Sequence, residues 1–432
     1  MSAGPEPYPA DARRSTPMTK RQKLVFLSLF TACGLALALC YHHIQSGVFG
    51  RDFPYDTFLS AEKEWSRDFT ENYMGWATRF YNTHSPYLGK HAAISIAKGT
   101  PLLTMSFSLL PSMAAGYAAW LLVFIGLWLL LCRKASGGEG TVYLAAFSML
   151  SYPFLFALDR ANVELYCALC TIMFMLDYAK GRFSRASLWL AAAITIKPFP
   201  IPFLALFWAD RKPKLAATTL GWALVFTTGI VLLLKAVHGF GLSHMFNPLV
   251  GIAWSSQYNK AYAAQDLGLY HGHSLFGLMK LFVYHFHNWL LYPLGDIERV
   301  SSLMMKPYFI IASGLFCAMA WFMRRHALAT WQKMALCVCA MNLLPFVSAD
   351  YKMLHFFGPI FLFINTPPST SDRRYAILFG LLLIPKEYFV QVFARVPPGV
   401  STSVWLTPLL MCALVFLIAR DSGRQNQGSG QD

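Results

Sequence analysis

Mostly apolar runs broken by short polar clusters recur along the whole chain, at 24–41, 113–132, 141–158, 163–180, 215–236, 307–323, 334–348, 355–366, 376–393 and 403–419. Helical runs of this kind suit a hydrocarbon core of ~30 Å, so the pattern predicts an all-α polytopic membrane protein with about ten crossings. Lys and Arg cluster in alternate connections, beginning with Arg13, Arg14, Lys20, Arg21 and Lys23 and including Arg133-Lys134. Basic loops stay on the cytoplasmic side. Both termini are therefore expected inside, with large outer regions at 42–112 and 237–306. Residues 1–23 read as a disordered cytoplasmic N-terminus, 24–419 as a single membrane domain, and 420–432 as a flexible cytoplasmic tail. The first apolar run ends in Tyr41-His42-His43, without the small-x-small exit of a cleavable signal.

Residues 187–209 break the rule of one helix per crossing. Basic clusters flank them on both sides, and their middle reads Ile196-Lys197-Pro198-Phe199-Pro200-Ile201-Pro202. Three prolines in five residues stop a helix, so this segment is expected to be a re-entrant pair of half-helices with Lys197 at its apex.

Composition agrees. The 432 residues are 56% hydrophobic and only 13% charged, against a usual quarter. The formal charge of +15 lies in short clusters between apolar runs rather than on one basic face, which argues against nucleic acid. The nine cysteines all fall within or at the end of apolar segments, so Cys167-x-x-Cys170 reads as helix packing rather than a redox or metal pair.

Five groups of residues carry candidate chemistry. The first outer loop, 42–92, holds Asp52, Asp56, Glu62, Glu64, Asp68 and Glu71 among aromatics, a mixture suited to sugar recognition and general-base work. The plainer reading is a solvated amphipathic loop. Asp159-Arg160-Ala161-Asn162-Val163-Glu164 packs three charges and an amide into one hairpin tip, where charge is costly and often functional; alternatively Asp159 or Asn162 simply caps the turn. Lys197 needs a polar cavity, a partner, or a route to snorkel to the surface. Ser348-Ala349-Asp350-Tyr351-Lys352, followed by His355, makes another charged tip, and Lys386-Glu387 a further one. His271-x-His273 and His285-x-His287 could ligate a divalent metal, but they have no distinctive companion ligands, so they read as carbohydrate-facing or surface histidines and no cofactor is indicated.

These tips resemble the polytopic glycosyltransferases of family 87, within the C-type superfamily. Leu158 to Glu164 is similar to the family's D-R-G-N-I-E hairpin, with Ala161 in place of its glycine. Ala191 to Pro198 resembles an A-x-x-x-K-x-x-P segment, Ser348-x-Asp350-Tyr351-Lys352 an S-x-D-Y-[RK] motif, and Phe53 to Leu59 with Asp68-Phe69 the first-loop P-Y-N-T-F-L and D-F elements. The resemblance implies a C-type bundle in a bacterial cytoplasmic (inner) membrane. The implied activity moves a sugar, mannose-like in the family, from a polyprenol-phosphate donor to a glycan or glycolipid acceptor on the outer face. It implies a base among Asp68, Asp56 and Asp52, cations for the donor phosphate among Arg160, Lys352, Lys197 and Lys386, and sugar or acceptor contacts from Asp159, Asn162, Glu164, Asp350, Tyr351 and His273. A transporter or lipid-linked-sugar flippase would also use broken helices and intramembrane charge, but no internal repeat is evident. A polysaccharide ligase or polymerase would want a strongly cationic outer loop. Here six acids face five basic residues, Arg51, Lys63, Arg67, Arg79 and Lys90.

Overall fold

The computed structural model describes residues 17–44, 47, 113–138, 140–238, 269, 272–286, 297–386 and 402–428. The first outer region beyond residue 47, and most of the second, lie outside the described residues. The described residues are all-helical, without a strand: α1 (Lys20–His43), α2 (Met113–Ser136), α3 (Thr141–Met149), α4 (Tyr152–Asp159), α5 (Glu164–Ala179), α6 (Phe183–Ile196), α7 (Leu204–Ala209), α8 (Pro213–His238), α9 (Leu275–Phe286), α10 (Ile297–Arg325), α11 (Thr330–Leu343), α12 (Phe357–Ile364), α13 (Asp372–Leu383) and α14 (Ser403–Gly428). Short 3-10 turns at Ile201–Phe203 and Asp350–Phe356 precede α7 and α12.

Among the described residues four helices are long and apolar enough to cross a membrane: Lys20–Tyr41, Ala115–Ser136, Glu298–Arg325 and Ser403–Gly423. A fifth crossing is made if α3 and α4, bent by 65°, form one broken span. Among the described residues these four or five are the candidates that meet length and apolarity together. Several apolar runs that read as crossings form shorter helices whose side chains pack inside the bundle. Predicted segment 163–180 becomes α5, 16 residues long, buried from Leu165 through Leu169 and at Phe174, Met175 and Tyr178. Segments 334–348 and 355–366 become α11 and α12, of 14 and 8 residues, whose apolar side chains face protein. Apolar runs of 10–14 residues are commonly core helices.

Around α5 pack α2, α4, α6, α12 and the Asp350–Phe356 turn. Aromatic edges fill the interface: Tyr166 meets Trp120 and Phe124 at 5.1 and 5.7 Å, and Trp128 meets Phe154 at 5.2 Å. The polar handles are satisfied, with Tyr166 Oη donating to the Trp120 carbonyl at 2.8 Å and Trp128 Nε1 to Ser148 Oγ at 2.8 Å.

α6 and α7 form the feature that positions the site. α6 leaves beside the C-terminal end of α5, where Arg185 Nε lies 3.6 Å from Asp177. It ends at Ile196, and Lys197 reaches Glu164 at the other end of α5. The chain then returns: after α7, Asp210 accepts from Tyr178 Oη at 2.5 Å, and Lys212 lies 3.3 Å from the Phe183 ring. The two ends of this segment therefore sit together, and its proline-rich middle lies at the opposite end of α5.

Both chain ends are helical over part of the stretches read as polar termini. α1 begins at Lys20 because Thr19 and Gln22 close a reciprocal capping box, and Lys23 is buried against Asp372 at 3.0 Å. The tail expected to be flexible continues α14 to Gly428, tied at Asp421, which accepts from Tyr375 Oη at 3.1 Å.

Candidate functional site

Three separate stretches converge at the N-terminal end of α5. The first is the α4–α5 tip. Ala161 turns it with φ +50°, a left-handed conformation that suits glycine. Asn162 Oδ1 accepts the Glu164 amide at 2.9 Å, which closes the turn, and the same oxygen accepts from Lys197 Nζ at 2.9 Å. Asp159 and Arg160 are half-buried, with the Arg160 guanidinium 5.0 Å from the Phe156 ring.

The second stretch is the end of α6. The residue before a proline is pushed out of helical geometry. Lys197, before Pro198, accordingly has φ −144° and ψ 141°. That extended residue projects its ammonium across to Glu164 Oε2, 2.8 Å away, and 4.9 Å from the Tyr351 ring.

The third is the Asp350–Phe356 turn. His355 Nε2 lies 2.7 Å from Glu164 Oε1, so each carboxylate oxygen of this fully buried glutamate has a partner. Tyr351 stacks on Phe156 at 6.3 Å with rings 11° apart. Lys352 is 2% exposed; its ammonium donates to the Val347 carbonyl at 3.3 Å and sits 3.4 Å over the Phe199 ring. Lys352 lies in the connection between α11 and α12, outside the spanning helices. Burial pushes it down to about 7, with Glu164 pulling up and Lys197 adding to the depression.

Beside this cluster His273 is held at both ring nitrogens, by Asp350 Oδ1 at 2.7 Å and Asn342 Oδ1 at 3.0 Å. Ser348 Oγ donates to the same Asn342 oxygen at 3.2 Å, and the His273 amide to the Ser348 carbonyl at 2.8 Å. Asp350 and Tyr351 are thereby locked next to Lys352.

Of the expected site residues, the structure gathers Asn162, Glu164, Lys197, Tyr351 and Lys352, with Asp350 and His273 adjoining through the same turn. Arg160 and Asp159 flank the tip. Lys386 is not gathered: its ammonium donates to the carbonyls of Leu381, Leu382 and Ile384 at 3.2, 2.9 and 2.9 Å, capping α13. Asp52, Asp56 and Asp68 lie outside the described residues. Asn342 is the member that sequence reasoning missed, and His355, noted behind the Asp350–Lys352 tip, was given no role there. His355 follows Lys352 by three positions, one 3-10 turn, which puts both on one face.

Glu164, Cys167 and His355 bring oxygen, sulfur and nitrogen atoms within 4.8 Å of one another, a spacing that could hold a metal ion. The carboxylate already carries Lys197 and His355, while the Cys167 thiol donates to the Ala193 carbonyl at 3.6 Å. His355 Nδ1 is buried with no hydrogen-bond partner among the described residues.

The family model of glycosyltransferase family 87 matches residues 99–348, more than half of the chain. No curated protein and no solved structure matches it. The matched interval takes in the α4–α5 tip, Lys197, His273, Asn342 and Ser348, and it ends just before Asp350. Motif order, the all-helical bundle and this match agree, and the chain belongs to glycosyltransferase family 87, a family of membrane glycosyltransferases.

Proposed function

We propose that the protein transfers a sugar from a polyprenol-phosphate donor to a glycan or glycolipid acceptor on the outer face of the membrane, with the donor phosphate seated at Lys352. The observation that carries this reading is the state of that lysine. A buried ammonium needs close compensation. Among the described residues Lys352 has one carbonyl at 3.3 Å and a ring face. The nearby carboxylate, Glu164, is already engaged by Lys197 and His355. A phosphodiester oxygen supplies the missing negative charge. Arg160, at the rim of the tip, offers a bidentate fork to the same phosphate.

In this reading 187–209 is a re-entrant hairpin whose apex faces the outer leaflet, and both termini are cytoplasmic, in a bacterial inner membrane. The supporting geometry is the return of Asp210 to Tyr178. Glu164 then positions Lys197 and His355 rather than binding sugar itself. Asp159, Asn162, Asp350, Tyr351 and His273 border the space for sugar and acceptor.

The reaction is an in-line displacement. The anomeric carbon's bond to the phosphate oxygen breaks as the acceptor hydroxyl oxygen bonds to that carbon. The hydroxyl proton passes to a carboxylate, and polyprenyl phosphate leaves with the electron pair. Asp68 is the first choice of base, ahead of Asp56 and Asp52, and loss of a base typically costs ~10²–10⁴-fold in rate.

Purified protein given radiolabelled polyprenol-phosphate sugars or nucleotide sugars tests this. Label should reach an added lipid or glycan acceptor only from the polyprenol donor. Asp68→Asn should lose at least about 10²-fold in transfer while donor binding persists. Transfer from the nucleotide sugar, or no donor-dependent transfer at all, would sink the proposal.

A further inference from the structure

A second charged cluster stands at the opposite end of α5, and the reaction does not use it. Asp177 is fully buried in the last turn of α5. Its carboxylate accepts from Trp189 Nε1 at 3.2 Å and faces three cations: Lys134 at 2.9 Å, Arg185 at 3.6 Å and Arg182 at 4.0 Å. One negative charge thus holds three positive ones. The two arginine side chains remain 52% and 58% exposed, each touching Asp177 through a single nitrogen, so most guanidinium donors point outward. Exposed Arg133 and Lys180 extend the patch along the chain.

Its depth in the bundle indicates the occupant. Lys134 belongs to the last turn of α2, one of the spanning helices, which ends at Ser136. Lys20, at the start of spanning helix α1, donates to the Ser136 carbonyl at 3.2 Å. Two spans therefore terminate at this level, where lipid headgroups lie. The neighbouring Trp189 and Phe183 suit the same interface. Preorganised surplus cations at headgroup depth match an anionic phosphodiester rather than a zwitterionic one, whose own ammonium would meet like charge.

We infer that Arg182, Arg185 and Lys134, fixed by the buried Asp177, form a binding site for the headgroup of an anionic phospholipid, separate from the transfer site. The ligand chemistry is a phosphodiester, and the membrane is its source.

Binding of pyrene-labelled phosphatidylglycerol and phosphatidylcholine to the full-length protein in detergent tests it, with soluble glycerol phosphate as competitor. Phosphatidylglycerol should bind in preference to phosphatidylcholine. Arg182→Gln with Arg185→Gln should weaken it by about 25-fold, about fivefold per charge removed. The paired Arg→Lys variants should retain most of the binding. In wild-type protein, which needs no folding control, binding should weaken as salt rises. Equal binding of the two lipids, salt-independent binding, or an undiminished affinity in the double Gln variant would overturn the site. Glycerol phosphate binding as tightly as the lipid would overturn its assignment to the membrane.

Discussion

Lys197 and Glu164, separated by 33 residues in sequence, lie 2.8 Å apart and join the apex of one hairpin to the first turn of the central helix. Glu164 is fully buried and the Lys197 side chain is only 12% exposed, so breaking the pair leaves an uncompensated charge away from water. Glu164→Gln or Lys197→Met is expected to cost about 3 kcal/mol or more of stability. The double variant should cost less than the sum of the two, because neither charge is then stranded. Unfolding in detergent, followed by helical signal for all four proteins, measures the coupling. Strict additivity would show that the pair is not a unit.

Ala161 tests the turn that presents Asn162 and Glu164. Its φ of +50° costs an L-residue about 1–2 kcal/mol. Glycine relieves that cost but adds about 0.5–1 kcal/mol of chain entropy, and it removes a buried methyl worth about 0.8 kcal/mol. These effects nearly cancel, so Ala161→Gly should change stability by less than about 1 kcal/mol. Ala161→Val, β-branched at positive φ, should destabilise by more than about 2 kcal/mol and lower transfer activity. Thermal unfolding of both variants decides the matter.

Much of this site was legible in the sequence, and the reasons are physical. Charge and amide groups inside apolar surroundings are expensive, so Asn162, Glu164, Lys197 and Lys352 announced themselves by position alone. Pro198, Pro200 and Pro202 fixed where α6 must stop. Long-range pairing was not legible: nothing local says that His355 meets Glu164, 191 residues away. Lys386 shows a related limit, since a lysine near a helix end serves a ligand or the helix's own carbonyls equally well. The number of crossings was not legible either, because apolarity reports removal from water, while only packing reveals whether lipid or protein replaces it.

The depressed Lys352 makes donor binding pH-dependent with a definite sign. Its free ammonium is half-charged near pH 7, and the donor phosphodiester stays anionic at every pH above ~3. Binding needs the charged lysine, so donor affinity should be flat below pH 7 and fall by up to about tenfold per pH unit above it. Lys352→Arg, which stays charged, should abolish that fall. Stability has its own slope: between about 7 and the ordinary 10.5 the unfolded chain binds a proton that the folded one does not, so Lys352 makes stability rise with pH there. Titrations of donor affinity from pH 6 to 9 in both proteins check the first effect.

The claim on which the rest depends is that a buried, under-compensated lysine seats the donor phosphate. The most direct measurement is the affinity of a polyprenol-phosphate sugar for wild-type protein and Lys352→Met at pH 6.5. Methionine keeps the apolar stem over the Phe199 ring and removes the charge. Truncating a buried charge that meets an opposite one costs 2–5 kcal/mol or more, so the account predicts that Lys352→Met binds the donor at least about 30-fold more weakly. Equal affinity in the two proteins, with the variant folded, would contradict it.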